Sequence, residues 1–131
     1  MRSRLVLLVA VLAFAVTACG GSDSNATEAT EAPVPTSSGD VARGIEIYVG
    51  TCVVCHGPEG AGIEGLGKPW VDSDFINARS DDEMLAFLIE GRRSDHPENT
   101  TGIAMTPRGG NPSLTDSDLL DVIAYMRTLN F

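Results

Sequence analysis

Apolar residues follow distinct patterns along this chain of 131 residues, and the changes between them divide it. An unbroken apolar run from Leu5 to Val16 follows Arg2 and Arg4. At about twelve residues it falls short of the roughly twenty a spanning helix needs, and it reads as the apolar region of an export signal. From Gly20 to Gly39 the pattern disappears into Ser, Thr, Ala, Glu and Pro, with Val34 the only large aliphatic side chain, the composition of a disordered tether. Helical spacing returns at Asp40, a helix cap whose pattern predicts a helix to about Thr51, with Ile45, Tyr48 and Val49 on one face and Gly44 admitting a close neighbour. Gly60, Gly62, Gly65, Gly67 and Pro69 predict a loop between Gly57 and Asp74. A second helix is predicted to start at Ser80 or Asp81 and to stop near Gly91, carrying Met84, Leu85, Leu88 and Ile89. Thr115, with Asp118 three positions on, caps a third that places Leu119, Leu120, Val122, Ile123, Met126 and Leu129 on its apolar face. No strand signal competes. The predicted fold class is all-α, with residues 40–131 as one small domain and its first and last helices crossing where Gly44 meets the helix of Tyr125.

Into this frame the sequence inserts Cys52-Val53-Val54-Cys55-His56. Two thiols three positions apart can each add to one vinyl group of a porphyrin, and the following imidazole is then held beneath the iron. The spacing identifies one covalently attached haem c, with Cys52 and Cys55 as thioether anchors and His56 as proximal iron ligand. A zinc site lacks a second CxxC, since Cys19 is the only other cysteine. A redox dithiol opens a helix, whereas Gly57-Pro58-Glu59-Gly60 after this motif opens a loop. A haem also supplies a large apolar body to a domain too short for a generous aliphatic core.

The export signal ends in Val16-Thr17-Ala18-Cys19, which resembles a bacterial lipobox. That resemblance implies a signal peptide over residues 1–18, lipidation of Cys19, and a lipid-anchored protein on the periplasmic side or cell surface of a bacterial membrane. An ordinary secretory signal cleaved near Ala18 is the alternative. Residues 19–39 then form the lipidated cysteine and tether, with an end-to-end distance of about 25 Å. Without Arg2 and Arg4, 7 basic residues face 18 acidic ones, a net charge of −11. That balance excludes nucleic acid as a partner and favours redox proteins with a basic docking surface, bound less tightly as salt rises.

Taken together, the N-terminal helix with Gly44 and Tyr48, the CxxCH motif after it, a ligand-bearing loop and an amphipathic C-terminal helix resemble a class I cytochrome c. The segment Gly102-Ile103-Ala104-Met105-Thr106-Pro107-Arg108-Gly109-Gly110-Asn111-Pro112 is similar to the haem-subunit domains of cbb3-type oxidases, with Thr106 where those relatives often have a proline. The resemblance implies Met105 as the sixth iron ligand, because the family places its axial methionine in this loop. Met84 and Met126 occupy core-facing helical positions, and His96, in a polar segment, is the remaining alternative. The family also implies a backbone carbonyl near Pro69 holding the His56 ring. Trp70 is expected either to reach a haem propionate through its indole NH or to serve in the core, and Arg108 and Asn111 to support the Met105 loop or the propionates, with ordinary turn chemistry as the alternative for Asn111.

His/Met ligation implies a single-electron carrier with no catalytic residues, moving electrons between redox proteins of a respiratory or related chain. The alternatives are the haem subunit of a dehydrogenase complex and a gas-binding haem protein.

Overall fold

The computed structural model describes residues 38–130; the expected export signal, Cys19, the expected tether as far as Ser37, and Phe131 lie outside them. The described residues form helices α1 (Val41–Ile47), α2 (Val53–His56), α3 (Asp74–Asn77), α4 (Asp81–Glu90) and α5 (Asp116–Thr128). They contain no strand, only isolated bridges between Ile63 and Gly67 and between Arg92 and Met105. None of the described helices is long and apolar enough to cross a membrane. The all-α expectation therefore stands.

Asp40 caps α1 by accepting from the Arg43 amide at 3.1 Å. A π turn, Tyr48–Cys52, carries the helix into α2, so residues 41–56 form one rod with an extra residue wound into its middle. The apolar face differs from the predicted one. Ile45 and Val49 are 42% and 62% exposed, while Ile47 and Tyr48 are buried. The reason is the crossing with α5, which turns Gly44 inward: a Cβ there would stand 2.0 Å from the Asp121 carbonyl oxygen. The buried line therefore runs from Gly44 to Ile47 and Tyr48. Gly39 also presses on the Leu120 carbonyl, so contact with α5 begins one residue before the expected domain start.

The edge of the Tyr48 ring meets Tyr125 with centroids 5.3 Å apart, which locks the predicted crossing. From α5, Leu119, Val122, Ile123 and Met126 are buried; Met84 and Leu88 of α4 and Ile76 of α3 close the same core. The four-residue α3 was not predicted, being too short to show a helical period.

Both longer helices begin with reciprocal capping, Ser80 with Glu83 and Thr115 with Asp118. Hydrogen bonds from Thr115 hold the Asp118 carboxyl below its usual range. Its contribution to stability is present above the ordinary carboxylate value and is lost as pH falls through the folded-state value. Thr115→Ala should cost about 1 kcal/mol of unfolding free energy in a denaturant titration. The loss should shrink in acid, where Asp118 is protonated in both proteins.

Arg127 was not singled out by the sequence, yet it is 8% exposed and joins three elements. Its guanidinium donates to Asp81 at 3.0 Å and to the carbonyls of Ile76 and Arg79 at 2.7 and 2.6 Å. Replacing it leaves the Arg79 carbonyl without its donor, Asp81 without its ion pair, and the Ile76 carbonyl with only backbone partners, the Arg79 amide among them at 3.3 Å. Arg127→Met should therefore lower unfolding free energy by about 2 kcal/mol, read as a lower denaturant midpoint at unchanged slope.

Candidate functional site

The two cysteines leave the rod at its last turns: Cys52 closes the π turn, and Cys55 and His56 lie in α2. Gly57, at φ +72°, then stops the helix and turns the chain away. The loop that follows is held to the rod by the Tyr48 hydroxyl, which donates to the Gly57 carbonyl and accepts the Gly60 amide at 2.9 Å. Burial pushes the Tyr48 phenol above its ordinary value, so it remains a donor.

This loop returns beneath His56. Gly67 passes so near Cys55 that a Cβ would stand 2.1 Å from the Cys55 carbonyl oxygen. The next residue places its own carbonyl 2.8 Å from His56 Nδ1. The carbonyl that holds the imidazole thus belongs to Lys68, a correction to the expectation centred on Pro69. The physical reason is the proline: its ring restricts the preceding residue to extended backbone, which fixes the direction of the Lys68 carbonyl. Pro69 itself packs at Gly62, where a Cβ would meet its nitrogen at 2.7 Å. Because a carbonyl only accepts, Nδ1 of His56 carries the proton and Nε2 keeps its lone pair. Burial lowers the His56 pKa against the opposing effect of the Lys68 bond, so the ring is favoured in its neutral form. Trp70, 4% exposed, meets Tyr48 edge-to-face with centroids 4.7 Å apart and lies tilted against His56 at 5.0 Å.

Met105 comes from the opposite part of the chain. Its amide donates to the Arg92 carbonyl at 2.8 Å and its carbonyl accepts from the Arg92 amide at 2.7 Å. This two-way bridge requires Gly91, where a Cβ would stand 2.3 Å from the Met105 oxygen and φ is +72°. After Met105 the chain enters the turn Pro107–Gly110. Arg108 fastens this turn to the start of α5, donating to the Leu114 carbonyl at 2.8 Å and to Asp116 at 2.7 Å. Arg108 therefore braces the methionine loop and is not on the cavity wall. Asn111 accepts from the Ser113 amide at 3.1 Å, an ordinary turn contact.

Cys52, Cys55, His56, Trp70 and Met105 all line one cavity of about 520 Å³, within the range of roughly 300–1,000 Å³ common for ligand pockets. Phe75, Phe87, Leu88, Met84 and Met126 complete much of its apolar wall. The two helical methionines are also 1% and 2% exposed core residues, as predicted. His96 is exposed, lies outside this wall and accepts the Glu98 amide at 3.2 Å. Two unpaired thiols, a neutral imidazole and a thioether around one largely apolar cavity fit a covalently held haem. The same site suits a dithiol oxidoreductase poorly. Burial pushes the Cys52 thiol up to about 11, whereas reactive cysteines of that kind are held as thiolates.

Sequence reasoning missed the Lys68 carbonyl, the Gly91–Arg92 bridge to Met105, and Asn99, whose side chain organises the loop before Met105. Gly91 was legible only as a helix stop; nothing local announces what a main-chain carbonyl will face.

The family model for cytochrome c matches residues 41–130. The chain is 34% identical over 91 residues to cytochrome c-555 of Prosthecochloris aestuarii, covering 66% of this chain and 85% of that protein. It is 29% identical over 89 residues to the Cbb3-type cytochrome c oxidase subunit FixP of Bradyrhizobium sp. (strain ORS 278), covering 68% of this chain and 30% of that one. With the thiosulfate dehydrogenase of Stutzerimonas stutzeri (strain A1501) it shares 30% identity over 106 residues, 75% of this chain and 30% of the enzyme. It thus spans most of the small protein and under a third of the length of the other two.

Proposed function

This chain belongs to the cytochrome c family, and from that premise we propose that it is a membrane-anchored, extracytoplasmic monohaem carrier of a respiratory or related electron-transport chain. Membership implies a covalently bound haem c and a role in electron transfer. In the proposed assignment Cys52 and Cys55 form the thioethers, His56 is the proximal ligand and Met105 the distal one. The observation that carries it is the shared cavity, to which the rod contributes the motif and a separate loop contributes Met105.

When bound, the haem supplies a one-electron ferric/ferrous couple. The chain's own part is to hold its surroundings still. The Lys68 carbonyl fixes the His56 tautomer and ring, and the Arg92 bridge fixes the main chain at Met105. A thioether favours ferrous iron and so raises the potential, while the apolar wall limits water and the reorganisation that water would bring. Cys19 would anchor the protein by acyl chains, and the tether would let the domain reach partners on the same membrane. A net charge of −11 after signal removal supports docking on basic redox partners.

A second reading, a haem domain within a dehydrogenase or oxidase complex, draws on the match to about a third or less of longer proteins. These include the oxidase subunit FixP and the cytochrome c subunit of alcohol dehydrogenase (quinone) of Gluconobacter oxydans. Stable co-purification with a catalytic subunit would favour it.

The test is the oxidised visible and near-infrared spectrum of the full chain made with c-haem maturation machinery. A low-spin spectrum with the weak far-red band of methionine sulfur on ferric iron is expected; a high-spin or bis-histidine spectrum would remove Met105 from the assignment.

A further inference from the structure

Segment 94–104 runs from the end of the Arg92–Arg93 pair directly into Met105, and Asn99, Thr101, Ile103 and Ala104 within it line the cavity. Its only large apolar side chain, Ile103, is 47% exposed, so burial does little to fix its path. Fixing a loop of this kind against its conformational entropy falls to polar contacts.

Five of these contacts converge on one side chain. Asn99 Nδ2 donates to the carbonyls of Arg93 at 3.0 Å and Ile103 at 2.8 Å, tying the two ends of the loop together. Its Oδ1 accepts the amides of Thr101 at 3.1 Å and Gly102 at 2.9 Å, and the Thr101 hydroxyl at 3.3 Å. Gly102, at φ +72°, supplies the reversal that lets this amide reach the oxygen. Outside this knot, Arg92 pairs with the Glu98 carboxylate at 2.9 Å. Few side chains can do what Asn99 does here. An amide offers two donors and an acceptor on one short stem, aspartate offers acceptors only, and alanine offers nothing.

We propose that Asn99 is a positioning residue for the sixth haem ligand: its amide fixes the loop that delivers Met105, and so holds the thioether in place against competing ligands. The inference rests on the assignment of Met105 as that ligand. The Arg92 bridge grips Met105 from one side through the main chain, and Asn99 steadies the approach from the other. Loss of the amide frees segment 94–104 to open locally without unfolding the helices.

The experiment uses the full-chain holoprotein with Asn99→Ala, Asn99→Asp and, as a control lowering global stability, Arg127→Met. Two quantities are read: the rate of carbon monoxide binding to the ferrous form, and the temperature at which the far-red methionine band fades relative to global unfolding. Both Asn99 variants should bind carbon monoxide about tenfold faster, with the band fading well before the helices melt, while Arg127→Met changes neither relation. Asn99 variants that match the unmodified protein in both readings would overturn the proposal, as would an Arg127→Met effect of equal size. Absence of the methionine band from the unmodified protein would overturn the ligand assignment and this inference with it.

Discussion

Met105→Leu should lower the reduction potential by on the order of 0.2 V, a fraction of the roughly 0.8 V over which axial ligation sets haem potentials. The same change should open the ferrous haem to carbon monoxide. Leucine fills nearly the volume of methionine, and such swaps usually cost under about 1.5 kcal/mol, so the loop should keep its place. The bridge to Arg92 is made by main-chain atoms on both sides and survives the change to leucine. What disappears is the sulfur, and with it the preference for ferrous iron. Met84→Leu and Met126→Leu are the matched controls. Both residues line the same cavity, but both are packed in the helical core, and their loss should leave potential and spectrum unchanged. Redox titration of the three variants decides the matter: an unaltered potential in Met105→Leu, or a fall in either control, would contradict the ligand assignment.

Gly44→Val should be the most destabilising change in the α1–α5 crossing, lowering unfolding free energy by about 4 kcal/mol. Ordinary overpacking costs about 1–3 kcal/mol because flexible side chains can give way. Here the obstacles are the Asp121 carbonyl oxygen, 2.0 Å from a Cβ at position 44, and the Asp121 carbonyl carbon at 2.7 Å. The gain in helix propensity on removing a glycine, about half a kcal/mol, offsets little of that. Separating the two helices would also pull Tyr48 from Tyr125, and the loop after His56 depends on the Tyr48 hydroxyl. Chemical denaturation should therefore show a midpoint far below that of Gly50→Ala, since nothing stands within 4 Å of a Cβ at Gly50. Equal midpoints for the two variants would show that the crossing is looser than described.

What could be read from the sequence was what depends on neighbours in the chain. The caps at Ser80 and Thr115, the stop at Gly91 and the apolar stripe of α5 are all set within one helical turn, and each lies where predicted. The CxxCH motif was legible for the same reason. The face of α1 was misread because Ile45 and Val49 are apolar and correctly spaced, while the orientation of the helix is decided by a glycine notch whose partner lies in α5. The partner of His56 was displaced by one residue because a carbonyl leaves no mark on the residue type that bears it. Arg127 and Asn99 carried no sequence signal; their importance comes from carbonyls and amides that only the folded path assembles around them.

The bond between His56 and Lys68 has a practical side. Lys68 is the only lysine of the chain, and its side chain is exposed, while the part that serves the imidazole is its carbonyl. The amine is thus the one lysine handle of the chain, next to the redox centre, and it can be derivatised selectively over the α-amine without touching the contact that orients the ring. Coupling through that amine would attach every molecule to an electrode by the same edge, giving a uniformly oriented monolayer from the unmodified polypeptide.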